Sequence, residues 1–113
     1  MASPLTPLAA ALLEAYARGI RERLGSRVVE VRAFGSYARG DATEDSDLDI
    51  LVLIDGMTAQ DRWEAIHLAS GLTVEHGFAL DVSAHPLDAE TFRKWLSQER
   101  RFALDARREG IPA

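Results

Sequence analysis

Apolar positions along the chain switch between helical and strand spacing. Leu8, Leu12, Tyr16, Ile20 and Leu24 recur every four residues, with Leu13 widening the stripe, which predicts an amphipathic helix. Thr6 before Pro7 gives that helix an N-cap and a first-turn proline, and Gly25 gives it a stop, while Gly19 weakens it modestly from inside. Val28 to Phe34 is β-branched and partly alternating, so a strand is expected with Val29, Val31 and Ala33 on one face. Gly35-Ser36 follows at once, and Ser36-Tyr37-Ala38-Arg39 can close one short helical turn. Gly40 to Ser46 is polar and predicts an exposed loop. Ile50 to Ile54 is apolar on both faces, as in a central strand.

The second half repeats the alternation. Asp55-Gly56 turns the chain, and Thr58 to Asp61 resembles a capping box with Asp in place of Glu. A helix is expected from there to about His76, with Trp63, Ile66, Ala69 and Leu72 inward and Gly77 closing it. Phe78 to Ser83 reads as a third strand, with Phe78, Leu80 and Val82 on one face, Asp81 on the other, and His85-Pro86 ending it. Asp88 is placed to cap a helix carrying Phe92, Trp95 and Leu96, and Gln98 to Glu109 continues in helical spacing with Phe102 and Leu104 before Gly110. The order is helix, strand, short helix, strand, helix, strand, helix, helix. At 113 residues it is expected to form one domain spanning residues 1–113.

Composition narrows the classes. Hydrophobic residues make up 47% of the chain, enough for a core and against disorder. The formal net charge of -5 argues against bulk nucleic-acid binding and against a membrane surface. Without cysteine, disulfides and thiolate zinc sites are excluded. The opening MASPLTPLAAALLEAYARG lacks early positive charge and is broken by two prolines, so it makes a poor leader. No apolar run reaches membrane-spanning length, and a cytoplasmic protein is expected.

The candidate chemistry lies between residues 33 and 54. Asp47 and Asp49, two apart at the head of an apolar strand, project from the same side, roughly 6–7 Å apart along the strand. Two anions placed so are costly unless a cation or substrate holds them. Gly35-Ser36 is either an ordinary turn or a place where backbone approaches a ligand, with the free N–H groups of the turn after it suited to a phosphate. Asp41, Glu44 and Asp45 read as a solvated acidic loop. Asp81 either faces water at a sheet edge or completes a carboxylate cluster with Asp47 and Asp49. Arg93, Lys94, Arg100, Arg101, Arg107 and Arg108 form either a solvated basic helix face or a partner surface. His67, His76 and His85 have no ligand spacing and are given no chemistry.

Gly35-Ser36, ten residues, then Asp47-Leu48-Asp49 is similar to the signature of the DNA polymerase beta-like nucleotidyltransferases. Gly35-Ser36-Tyr37-Ala38-Arg39-Gly40 followed by Ser46-Asp47-Leu48-Asp49-Ile50 resembles the minimal nucleotidyltransferase (MNT) group, with Asp81 where that family has its third carboxylate. The resemblance implies an α+β fold, a mixed sheet of three or slightly more strands with helices mainly on one face. It implies two Mg²⁺ ions held by Asp47, Asp49 and Asp81, with Asp81 assisting deprotonation of an acceptor hydroxyl. It implies ATP as substrate, bound by Gly35, Ser36, Arg39 and Ser46. It further implies a HEPN-domain toxin as partner in a hetero-oligomer, which the chain would neutralise by transferring AMP to a tyrosine. Neutralisation by masking, without catalysis, and a small-molecule transferase of the aminoglycoside type are the alternatives. So short a chain is expected to lack the second domain that grips base or acceptor in larger relatives.

Overall fold

The structure, a computed structural model, describes residues 4–113; residues 1–3, the start of the stretch read as a poor leader, lie outside the described residues. The chain forms α1 (Pro7–Leu24), a short 3-10 turn (Gly25–Arg27), β1 (Val28–Phe34), α2 (Ser36–Arg39), β2 (Leu48–Ile54), α3 (Ala59–Glu75), β3 (Val82–Asp88), α4 (Ala89–Ser97), α5 (Arg101–Glu109) and β4 (Ile111–Pro112). The expected caps form: the Thr6 hydroxyl accepts from the Ala9 N–H, and Asp88 accepts from Glu90 and Thr91. No helix among the described residues is long and apolar enough to cross a membrane.

The strands make one mixed sheet in the order β3-β2-β1-β4, with β2 and β3 parallel and the other pairs antiparallel. β2 is a wall shared by two cores. Leu48, Ile50, Val52 and Ile54 face a cluster built with α1 and α3, including Leu12, Tyr16, Ile20, Ala65 and Ala69. Leu51 and Leu53 face the other side, against Phe92 of α4 and Ala103 and Ala106 of α5. The two long helices thus form the expected layer on one face, and the two short ones cover part of the opposite face.

Four local expectations are corrected. The third strand runs from Val82 to Asp88 rather than from Phe78 to Ser83. Phe78 lies outside the strand at a φ of 61° and is exposed. The strand begins where the Val82 N–H reaches the Thr73 hydroxyl on α3 and the Leu48 N–H reaches the Asp81 carbonyl. His85 and Pro86 therefore lie inside it. Proline is tolerated because β3 is an edge strand and Pro86, like Val82, has its nitrogen on the side away from β2. Val29 is exposed and Val28 buried, because a bulge shifts the register between Val28 and Glu30. On α3, Trp63 and Ile66 face outward, with Trp63 stacked on His67, and the buried row is Asp61, Ala65, Ala69, Leu72 and Thr73. Small alanines on that row let the helix approach the sheet. The two expected C-terminal helices form, but the second starts at Arg101 rather than at Gln98, the chain breaking between them at Glu99, where φ is 55°.

The buried Asp61 ties the start of α3 to the 3-10 turn before β1. It completes the Thr58 capping box at the start of α3 and takes a bidentate hydrogen bond from Arg27, with the Arg27 Nη2 to Asp61 Oδ1 contact at 2.7 Å. The Arg27 guanidinium, chiefly, holds the Asp61 carboxyl well below the usual carboxylate range. The unfolded carboxyl takes up a proton more readily than the folded one, so its contribution is complete at neutral pH and is lost as pH falls below about 4. Asp61→Asn is expected to cost about 1–2 kcal/mol at pH 7, the value for charge-assisted hydrogen bonds reduced for the half-exposed arginine. Urea denaturation of both proteins at pH 7 and pH 3 checks this, the difference between them shrinking at the lower pH.

Candidate active site

Asp49 lies near the head of β2 on the face shared with Leu51 and Leu53, since neighbouring strand residues alternate sides, and Asp47 immediately precedes the strand. That row is apolar and covered by α4 and α5 at Leu51 and Leu53, and turns acidic where the cover stops. Asp47 is exposed, and Asp49 keeps 29% of its side chain in solvent.

Gly35 stands against this acid. Phe34 pairs with Asp49 across the sheet, and Gly35 follows at a φ of 76°, in the left-handed region that favours glycine. A Cβ there would lie 2.8 Å from Asp49 Oδ2, so only a glycine leaves the carboxylate its place. Ser36 then opens the single turn of α2, whose first N–H groups have no partner within the turn. The Ser36 hydroxyl makes no hydrogen bond among the described residues.

The other expected ligands are more dispersed. The Asp81 carbonyl accepts from the Leu48 N–H at 2.8 Å, and continuing the parallel register by one residue sets Asp81 beside Asp47. Its side chain is exposed, and the described residues hold no group of three or more His, Cys, Asp or Glu poised around one point. Arg39 lines a depression with Phe34, Gly35 and Phe102, and is engaged by Asp41 at 3.3 Å and Glu109 at 3.6 Å. The Asp41 contact, first, and Glu109 push its pKa up, so it carries a firmly held charge. Ser46 works within the loop: its hydroxyl accepts from the Thr43 N–H at 2.9 Å, and its own N–H returns to the Thr43 carbonyl. The arrangement sets Gly35 against Asp49, with Ser36 next in the chain, Asp47 and Asp81 neighbours in register at the strand ends, and Arg39 beside Gly35 at the flank.

His85 is the residue sequence reasoning missed. Its Nε2 lies 3.1 Å from Asp49 Oδ1 and 3.4 Å from the Ser83 hydroxyl, and its ring meets Phe34 edge-on at 5.0 Å. It sits opposite Leu51, on the same face as Asp49, because β3 extends further than expected. The signal available was the period-two spacing Asp81, Ser83, His85, hidden once His85-Pro86 was read as the strand's end.

The sequence profile of the nucleotidyltransferase domain matches residues 13–108. Among curated proteins, the chain is similar to the protein adenylyltransferase MntA of Thermococcus cleftensis, with 56% identity over 41 residues, 36% of this chain and 39% of that protein. The match thus spans about two fifths of that relative's length. A solved chain provisionally named a minimal nucleotidyltransferase superposes with a TM-score of 0.51 at 33% identity, covering 94% of this chain and 89% of that one. A chain from a crystal structure of a toxin–antitoxin with AMP-PNP shares the fold, with a TM-score of 0.53 at 22% identity over 88% of this chain and 70% of that one.

Gly35→Ala separates backbone strain from crowding. Gly56 has a similar φ of 62° but no atom within 4 Å of an added Cβ. Gly56→Ala is expected to cost about 1 kcal/mol from the left-handed backbone alone. Gly35→Ala should cost about 1–2 kcal/mol more, as Asp49 is displaced. Paired urea denaturation curves measure the gap, and equal losses would show that Asp49 moves freely.

Proposed function

Because the chain belongs to the nucleotidyltransferase domain family, we propose that it transfers AMP from ATP to a hydroxyl, a tyrosine, of a partner HEPN-domain toxin and serves as that toxin's antitoxin in a hetero-oligomer. The observation that carries this reading is the pair of carboxylates at the uncovered end of an otherwise apolar strand row, with a glycine held against one of them. A curated relative named a protein adenylyltransferase and a toxin–antitoxin of the same fold with AMP-PNP support the choice of nucleotide and partner.

The donor set fits Mg²⁺. The ion prefers hard oxygen ligands and is commonly held by one or two carboxylates, several waters and the substrate's phosphates, so a preformed cage of three protein ligands is not required. Asp47 and Asp49 would hold it, with Asp81 nearest to add a further oxygen. Bound there, Mg²⁺ would offset phosphate charge and polarise the α-phosphorus.

The chain's own residues do the remaining work. Gly35 leaves room beside Asp49, and the Ser36 hydroxyl and the first N–H groups of α2 receive the β- and γ-phosphates. Arg39 offers its guanidinium to the phosphates by exchanging Asp41 or Glu109 for them. His85 holds Asp49 through Oδ1, leaving Oδ2 toward Gly35. Asp81 takes the proton of the acceptor hydroxyl, whose oxygen bonds to the α-phosphorus as pyrophosphate leaves. Ser46 contributes by shaping the loop that delivers Asp47.

The test is transfer to purified HEPN toxin with ATP and Mg²⁺. Sub-stoichiometric chain should suffice, since each molecule turns over. The toxin should gain nucleotidyl mass and stay inactive after the chain is removed. Asp47→Asn and Asp49→Asn should each lower transfer by about 100-fold or more, because each loses a charged ligand, while the fold survives relief of like-charge repulsion. An equimolar, ATP-independent rescue that persists in Asp47→Asn would leave masking as the mechanism.

A further inference from the structure

Beside Asp49, on the side away from Gly35, lies a cavity of about 280 Å³ lined by Leu51, His85, Pro86, Leu87, Trp95 and Phe102. We infer that this cavity receives the nucleobase of the bound nucleoside triphosphate by stacking, and that the site accepts the four ribonucleoside triphosphates with similar affinity. The inference rests on the proposed nucleotidyl transfer and adds to it where the base goes and how little the base is read.

Three directions lead away from the carboxylate pair. Toward β1 stand Gly35 and Ser36, which suit the triphosphate tail. At the mouth of the parallel strands stands Asp81, which suits the acceptor hydroxyl. Along the row from Asp49 to Leu51 the surface changes to aromatic and aliphatic side chains, and His85 joins the two regions, its Nε2 on Asp49 and its ring on the cavity wall. The cavity is smaller than the roughly 300–1,000 Å³ that enclose a drug-sized ligand, so it suits one ring system of a nucleotide whose phosphates lie outside.

The aromatic wall is ordered. Phe34 meets His85 at 5.0 Å and Phe102 at 5.5 Å, Phe102 meets Trp95 at 6.2 Å, all edge-to-face, and the Arg100 guanidinium lies 5.1 Å from the Trp95 ring centre. Such rings bind flat heterocycles through stacking, which every base supports. Readout of a base needs donors and acceptors matched to its edge, and sites lacking them discriminate weakly. The lining side chains offer two polar groups: His85, with one of its two ring nitrogens already engaged by Asp49 and Ser83, and the Trp95 indole N–H, a donor only, which together are too little to match the differing edges of the four bases.

Calorimetry with ATP, GTP, CTP, UTP and inorganic tripolyphosphate, each with Mg²⁺ and with chelator, tests the assignment. The four nucleotides should bind within about fivefold of one another, and Trp95→Ala should weaken each by about tenfold while tripolyphosphate is unaffected. Should Trp95→Ala fail to fold, Trp63→Phe leaves Trp95 as the only tryptophan, and its emission should change with ATP and not with tripolyphosphate. A preference for one base beyond about 100-fold, or Mg²⁺-dependent ATP binding that leaves Trp95 emission unmoved, overturns the inference alone. Absence of any Mg²⁺-dependent binding, tripolyphosphate included, overturns the transfer reading and the inference with it.

Discussion

The molecule depends on one strand that must satisfy two cores at once. Every even residue of β2 from Leu48 to Ile54 is buried against α1 and α3, and Leu51 and Leu53 are buried against α4 and α5. A strand so enclosed cannot carry a charge in its middle without a large desolvation cost. It can carry charges only where one layer ends, and the sequence places Asp47 and Asp49 there. Shifting β2 by one residue would send both acids into the α1/α3 core and Leu48 into water, so the burial of the even row holds the acids on the open face.

Neighbouring strands supply what the acids lack. The antiparallel partner β1 ends at Phe34, opposite Asp49, which delivers Gly35 to the carboxylate. The parallel partner β3 is locked in register at its start by the Thr73 hydroxyl and the Asp81 carbonyl, which sets Ser83 and His85 beside Asp49 and Leu51. Position at the site is therefore inherited from backbone pairing, and the side chains need only be the right kind at alternate places.

This division explains what could be read from the residues alone. The acid pair, Gly35 and the enclosed strand were legible because their signals are local: a five-residue apolar run, a spacing of two, a glycine after a strand. The start of β3 was not, because Phe78 and Leu80 alternate as a strand does, and the choice between that segment and Val82–Asp88 falls to bonds with α3 and β2, distant in sequence. On the inward row of α3, Ala69 and Leu72 follow the sequence pattern, whereas Trp63 and Ile66, the larger apolar residues, turn outward because close packing on the sheet favours Ala65. Two residues of β4, paired with Arg32 and Ala33, are too few to leave a pattern.

Pro86 has a bearing on assembly. On the outer rim of β3 the Val82 N–H is taken by Thr73, and Pro86 has no N–H to offer, which leaves Ala84 as the one outward donor between them. So few outward donors make a poor template for a strand from another chain. Sheet extension along the rim beside the histidine and the acids is thus disfavoured, and with it the aggregation that open edges invite.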